Sequence, residues 1–346
     1  MESKWWSRKL FWKLIVSAFV ISIVLVAILN IVADPFGIYG TGLYPPVASN
    51  RYVELRASLE SCDPPPGALI IGSSRVDCLD EGLASELTGY KCVNCWGPGA
   101  TPEIYLAILK MALDEFHHPI KLVIVGVEPG ILLNEQNEVH PQAKILLSYQ
   151  RYLSKTPGLS VFCEKSKRLV SREQTIASLF VLTAKAENLS SNDLMDWIPT
   201  QDLDFGIRRV GGKPEDSLQA EIRYRVDRLK DFGNRGLSES RTKCWDEFLK
   251  MCRDNKIEVY VYTQPAHPDL TKILYENNAG EIYRPSVDHL EKSVWEGGGK
   301  FRGYIYPDEF GADSGNFRDA VHMDKEGGDY LLEDLLADFE KNRQPQ

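Results

Sequence analysis

The chain has no surplus of basic residues: 40 Lys and Arg stand against 49 Asp and Glu, a formal net charge of −9. A nucleic-acid partner requires clustered Lys and Arg to neutralise phosphates, so that class is not expected. Seven cysteines are present but only one C-x-x-C, Cys92 and Cys95, and no second pair stands at zinc-ligand spacing. Nor does a helix N-terminus stand near Cys92 to acidify a thiol. The pair reads as core thiols or structural disulfides; if bridges form, Cys78–Cys95 and Cys62–Cys92 are the ones to expect. No low-complexity segment appears either. With 43% hydrophobic and 26% charged residues over 346 positions, the composition is that of an ordinary globular protein, long enough for one large α/β domain or two smaller ones.

One segment departs from that average. Leu14 to Val32, "LIVSAFVISIVLVAILNIV", holds 19 residues without a charge, close to the length at which a helix crosses a bilayer. Lys4, Arg8, Lys9 and Lys13 precede it against Glu2 alone, leaving 36 basic and 48 acidic residues in the rest. By the positive-inside rule residues 1–13 stay in the cytoplasm, 14–33 form a retained anchor, and the remainder crosses the inner membrane to face the periplasm or exterior. The competing reading is a cleaved signal peptide, for which Ile31-Val32-Ala33 would be a poor cleavage site.

Beyond the anchor, "ADPFGIYGTGLYPP" opens a juxtamembrane linker over 34–66 with little regular structure expected. "ALIIG" (68–72) reads as a buried strand, and Val76, Leu79, Leu83 and Leu87 follow at helical spacing up to Gly89. "KCVNC" (91–95) reads as a second strand and "TPEIYLAILKMALDEF" (101–116) as an amphipathic helix with Thr101 as N-cap and Pro102 at its first position. His117 and His118 end that helix and are expected to be solvated. "IKLVIVGV" (120–127) is a third strand, apolar throughout as in a parallel sheet covered on both faces. This alternation predicts an α/β doubly wound parallel sheet over 67–346. Residues 131–240 interrupt it and read as a largely helical insertion or lid over the sheet's upper edge. A helix near 240–254, the strand "IEVYVYT" (257–263), a strand near 301–306 and a closing helix over 325–341 resume it. Leu331, Leu332, Leu335, Leu336 and Phe339 line one face of that last helix.

Open parallel sheets bind ligands at the carboxyl ends of their strands. Those ends present Gly72-Ser73-Ser74-Arg75, "NCWGPGATP" (94–102), "GVEPG" (126–130), "TQPAHP" (263–268) and, before the last helix, "NFRDAVHMD" (316–324). Asp319 and His322 are close enough for one loop to present both. Attack on an ester carbonyl needs a serine oxygen, a histidine to take its proton and a carboxylate to orient that histidine. Ser74, His322 and Asp319 supply the set. The tetrahedral intermediate also needs N–H donors, which the Ser74 backbone at its helix N-terminus and a glycine of the second loop can provide. No metal or organic cofactor is implied.

These blocks resemble the SGNH (GDSL-type) hydrolase superfamily. "GSS" matches its nucleophile turn at Ser74, "NCWGPGATP" its second block with Gly99 at the oxyanion glycine, and "DAVH" its terminal block with Asp319 and His322. The resemblance covers roughly 68–130 and 255–340. It is strongest to membrane-anchored members that act beside membrane-bound O-acyltransferases, such as alginate O-acetylation proteins and the D-alanyl transfer protein of teichoic acid synthesis. It implies a three-layer α/β/α, flavodoxin-like catalytic domain and acyl transfer to or from a cell-envelope polysaccharide or acylated glycan, as esterase or transferase. A non-catalytic envelope protein that binds glycan or an acyltransferase is the alternative.

The chain also departs from that pattern. Glu128 stands where the third block has an oxyanion-donating Asn, so that donor is missing, or Glu128 is protonated, or it binds a substrate hydroxyl. Loss of such a donor costs about 10²–10³ in rate. Ser73 replaces the Asp of the nucleophile turn, and no second glycine follows Ser74 as a G-x-S-x-G elbow would require. Arg75, His267 and Trp96 complete the candidate substrate contacts, each against a plainer reading: Arg75 as a rim cation or a solvated surface residue, His267 in the Pro-rich loop after strand four as a substrate contact or a structural residue, and Trp96 as a platform for a sugar ring or a core residue.

Overall fold

A computed structural model of the protein describes residues 2–44, 50–133, 141–144, 146–187 and 236–341, with a few positions between 218 and 229. The chain starts with α1 (Glu2–Ala33) and α2 (Arg51–Glu60). Next come β1 (Ala68–Gly72), a 3₁₀ turn over Ser74–Val76, α3 (Glu81–Thr88) and β2 (Cys92–Trp96). α4 (Pro102–Lys110) runs into a π-helical turn (Met111–Glu115) before β3 (Leu122–Val127). α5 (Pro141–Lys144), α6 (Leu147–Leu153), α7 (Pro157–Arg168) and α8 (Arg172–Glu187) follow. The last part holds α9 (Glu239–Asp254), β4 (Glu258–Thr263), α10 (Pro268–Glu276), α11 (Ala279–Glu296), β5 (Lys300–Arg302) and α12 (Lys325–Lys341).

The described chain divides into two compact units. The larger, Arg51–Ala143 with Gly211–Gln346, contains a five-stranded, wholly parallel sheet in the order β2-β1-β3-β4-β5. Successive side chains of a strand point to opposite faces, and here both faces are buried. On one face Ile70, Leu122, Ile124, Tyr260 and Tyr262 pack against the expected stripe of α12, Leu331 to Phe339. On the other, Leu69, Ile71, Val123, Val125 and Val261 are equally buried, and α4 packs on α9. The continuous apolar runs of β1 and β3 follow from this double cover. The strand order reverses between β1 and β3, which makes their carboxyl ends the crevice of the fold.

Several expectations are corrected. No helix runs continuously from Val76. The chain makes one 3₁₀ turn, and α3 begins only at Glu81, because Asp80 caps it by accepting the Leu83 N–H at 2.8 Å. The 101–116 helix is regular only to Lys110, and the Thr101 side chain makes no capping bond. Part of the supposed 34–66 linker is α2, whose Tyr52, Leu55 and Leu59 are buried. His118, expected in solvent, is buried and its Nε2 lies 2.9 Å from the Leu59 carbonyl of α2. The disulfides do not form, and all seven cysteines are free thiols. Positions three apart on a strand face opposite ways, so Cys95 points away from the face where Cys92 and Cys78 share one cluster. Cys62 Sγ is directed instead to the Pro64 carbonyl, at 3.4 Å.

The smaller unit, Met1–Asn50 with Lys144–Val210, joins the N-terminal helix to part of the insertion. α1 is long and apolar enough to cross a membrane. Its last turn is packed: α8 lies against it, and Asn30 Nδ2 donates to the Leu169 carbonyl (2.9 Å) and Thr175 Oγ1 (3.0 Å). The chain leaves α1 through a hydrogen-bonded turn. Asp34, at φ +39°, accepts the N–H groups of Tyr39, Gly40 and Thr41. Helices α6, α7 and α8 of the insertion belong to the unit of the N-terminal helix. The charged stretch 220–232 lies largely outside the described residues.

Candidate active site

Why the chain places Gly-Ser-Ser at the end of β1 follows from crowding. A Cβ on Gly72 would lie 2.6 Å from Val76 Cγ1 and 2.9 Å from the Gly126 carbonyl oxygen. A Cβ on Gly126, its partner in register, would lie 2.4 Å from Val76 Cγ1, 2.5 Å from Gln264 Nε2 and 2.6 Å from the Tyr262 hydroxyl. Glycine at both positions lets the 3₁₀ turn fold down over the strand ends. Asn94 of β2 holds it there, donating to the Val76 (2.7 Å) and Leu79 (3.1 Å) carbonyls. Gly126→Ala is expected to cost about 1–3 kcal/mol by overpacking. A urea titration reads this as a lowered midpoint at unchanged slope.

The turn presents Ser74, half-buried, to His322. Ser74 Oγ lies 2.9 Å from His322 Nε2, and His322 Nδ1 lies 2.8 Å from each oxygen of Asp319. A carboxylate only accepts, so the neutral ring carries its proton on Nδ1, leaving Nε2 to accept the Ser74 hydroxyl. Asp319 Oδ1 also accepts the N–H groups of Val321 and His322, both at 2.9 Å. Burial would raise the Asp319 pKa. The hydrogen bond and charge of His322 and the two N–H donors outweigh it and hold the carboxyl well below the usual range. The loop is closed on itself by Arg318 N–H to the His322 carbonyl at 2.8 Å, and His322 is buried.

Around the serine, the Ser74 and Gly99 backbone N–H groups have no hydrogen-bond partner among the described residues. Gly99 sits at φ +55°, a conformation that suits glycine. Its loop is braced by α2: Tyr52 donates to the Pro98 carbonyl at 2.9 Å, and Arg51 to those of Trp96 and Asn94. The apolar spacing of Tyr52, Leu55 and Leu59 is the sequence signal for that brace. Glu128 follows β3, with Ser73 Oγ donating toward Oε1 at 3.4 Å and Arg225 Nη1 at 4.0 Å from Oε2. Ser73 Oγ is also 3.5 Å from Gln264 Oε1 and accepts the Arg75 N–H as cap of the turn. Gln264 is a buried site neighbour that the sequence reading did not single out.

Of the three candidate substrate contacts, Arg75 lies away from the surface, and Trp96 and His267 take structural positions. Arg75 is buried, not at the rim; its guanidinium donates to the carbonyls of Val321 (3.1 Å), Gln264 (2.9 Å) and Pro265. It thereby ties the Ser74 turn to the loop after β4 and to the histidine loop. Burial pushes its pKa down, and the Glu128 carboxylate opposes that. Trp96 packs against the core cluster, and the Arg51 guanidinium lies 4.5 Å over its ring, so the face expected for a sugar is already stacked. His267 is brought beside the histidine loop, its N–H donating to the Ala320 carbonyl at 2.9 Å. Its Nδ1, however, caps α10 by accepting the Asp269 N–H. Cys92 and Cys95 carry no reactive-thiol signature: burial raises both thiols, the opposite of what a thiolate nucleophile needs.

Neither a scan against protein-family models nor a search of curated proteins finds a match to this chain.

Proposed function

We propose that the protein is a membrane-anchored serine acyl enzyme of SGNH type, with its three-layer catalytic domain on the extracytoplasmic side. It acts as an esterase or O-acyltransferase on a cell-envelope polysaccharide. The observation that carries this reading is the relay Ser74 Oγ–His322–Asp319, with 2.9 and 2.8 Å between its members. His322 Nε2 takes the Ser74 proton as Oγ attacks an ester carbonyl, and the Ser74 and Gly99 N–H groups receive the oxyanion. The proton passes from Nε2 to the departing alcohol, leaving an acyl-Ser74. Water, or a sugar hydroxyl, then gives its proton to His322 as its oxygen bonds to the acyl carbon; the bond to Ser74 Oγ breaks and His322 returns the proton to Oγ, restoring the free serine. The glycan substrate, a membrane-bound O-acyltransferase partner and the cytoplasmic N-terminus rest on the sequence resemblance and on the basic residues preceding α1.

A fluorophosphonate probe applied to the full-length protein in detergent tests the reading, with p-nitrophenyl acetate as a second substrate. One equivalent of label on Ser74 is expected, absent from Ser74→Ala and strongly slowed in His322→Ala. A folded wild type that takes no label and releases no acetate would overturn it. Glu128 favours a second reading in that event: with a carboxylate in place of the amide donor, the fold would serve as a glycan- or acyltransferase-binding protein.

A further inference from the structure

Surface helices ordinarily bury their apolar stripe and turn charge to water. α7 instead leaves apolar side chains in water beside its lysines. Leu159 is 61% and Phe162 68% exposed, Cys163 is exposed beside them, and Val170 in the following turn is 50% exposed. Positions 159, 162 and 163 share one helix face. Arg168 by contrast is buried, paired with Glu173 at 3.2 Å. The same stretch, residues 155–172, has five basic residues (Lys155, Lys165, Lys167, Arg168 and Arg172) against the single acid Glu164, in a chain of net charge −9.

Its position adds the second argument. Asn30 stands two residues before the end of the uncharged run of α1. Its amide holds the Leu169 carbonyl at the start of the α7–α8 turn, and the Tyr39 hydroxyl donates to the Lys165 carbonyl at 3.1 Å. The basic, apolar-faced segment is therefore pinned to the end of the helix that is long enough to cross a bilayer. With α1 in the membrane, that end lies at the boundary between acyl chains and headgroups. Exposed Leu and Phe flanked by Lys and Arg are the composition that binds there.

We propose that α7 is a second, interfacial membrane attachment, with Leu159, Phe162 and Val170 in the acyl–headgroup boundary and Lys155, Lys165, Lys167 and Arg172 on anionic headgroups. The proposal rests on the reading of α1 as a bilayer span and is independent of the chemistry at Ser74.

Cys163 offers a native probe site once the half-buried Cys62 and Cys244 are changed to Ser, the other four thiols being buried. The full chain, nitroxide-labelled there, is reconstituted in vesicles of phosphatidylcholine with phosphatidylglycerol. Its collision rates with oxygen, which partitions into lipid, and with an aqueous nickel chelate are then compared. A label at Lys292→Cys on α11 provides the water-exposed reference. The oxygen-to-nickel ratio at Cys163 is expected to exceed the reference several-fold. It should fall toward it in Lys165→Glu/Lys167→Glu, in Leu159→Ser/Phe162→Ser, and in vesicles of phosphatidylcholine alone. Circular dichroism confirms that the variants remain folded. A ratio equal to the reference overturns the proposal. A label shielded from both reagents overturns it as well, because a protein surface, such as a second copy of this chain, then covers the face. Alkaline carbonate separates the two readings: protein stripped from the vesicles refutes the span, whereas retained protein with a water-exposed label refutes the α7 attachment alone.

Discussion

Alanine at Ser74, alanine at His322 and the two together are expected to lower ester turnover by one common factor, about 10⁶. The reason is the 2.9 Å contact between Ser74 Oγ and His322 Nε2. Without the ring, the hydroxyl has no acceptor for its proton. Without the hydroxyl, the ring has nothing to deprotonate. Each single loss disables the same step, so the second adds nothing. Asp319→Ala should cost less, about 10⁴, because it removes the orienting partner but leaves nucleophile and base in place. Single-turnover acetate release from the three variants and the double variant measures this. A double-variant loss equal to the product of the single losses would mean that the two residues act separately, and the relay would not be the catalytic unit. The Asp319 carboxyl adds a pH signature. Its folded pKa is depressed, so its contribution to stability is present above the ordinary carboxylate value, about 4, and is lost as the pH falls below it. Melting temperature should therefore drop more steeply on acidification in wild type than in Asp319→Ala. Because Asp319 stays ionised where ordinary carboxylates protonate, it does not set the acid limb of the activity profile.

What was readable in the sequence is what local pattern controls. β1 and β3 are buried on both faces, so their apolar runs mark them within a residue or two. Ser74, Asp319 and His322 lie immediately beyond a strand or before a helix, so reading the strand ends collects all three. What was unreadable depends on contacts distant in the chain. Asn94 looks like a strand residue, yet it fastens the Ser74 turn, donating to the Val76 carbonyl eighteen positions back. Tyr52 and Arg51 lie in a stretch whose Gly and Pro read as linker and obscure a helix only ten residues long. The smaller unit could not be foreseen, because residue 30 meets residue 169 across a gap that carries no local signal. Cys92 and Cys95 illustrate a different failure. The spacing is right for a motif, but strand geometry turns the two sulfurs to opposite faces.

Arg75 is the residue whose reading changes most, and replacing it is expected to have the largest effect on stability. Beside a serine at the end of a strand, an arginine in a turn reads as a rim cation for substrate. In the structure its guanidinium is buried and reaches carbonyls of two other segments: Val321, next to His322, and Gln264 with Pro265 after β4. Arg75→Met keeps the apolar stem and removes the fork, leaving those buried carbonyls without charged donors. The expected cost is about 3–5 kcal/mol, read as a lower urea midpoint. Arg75→Lys should recover only part of it, because one ammonium cannot reproduce the geometry of a planar fork. Turnover should fall in both variants, since the same carbonyl contacts hold the β1 turn against the histidine loop and so set the distance between Ser74 and His322. The fall should appear in kcat more than in KM, as expected of a group that positions the relay without touching substrate. An Arg75→Met protein with wild-type stability and a raised KM alone would return Arg75 to the rim and make it a substrate contact after all.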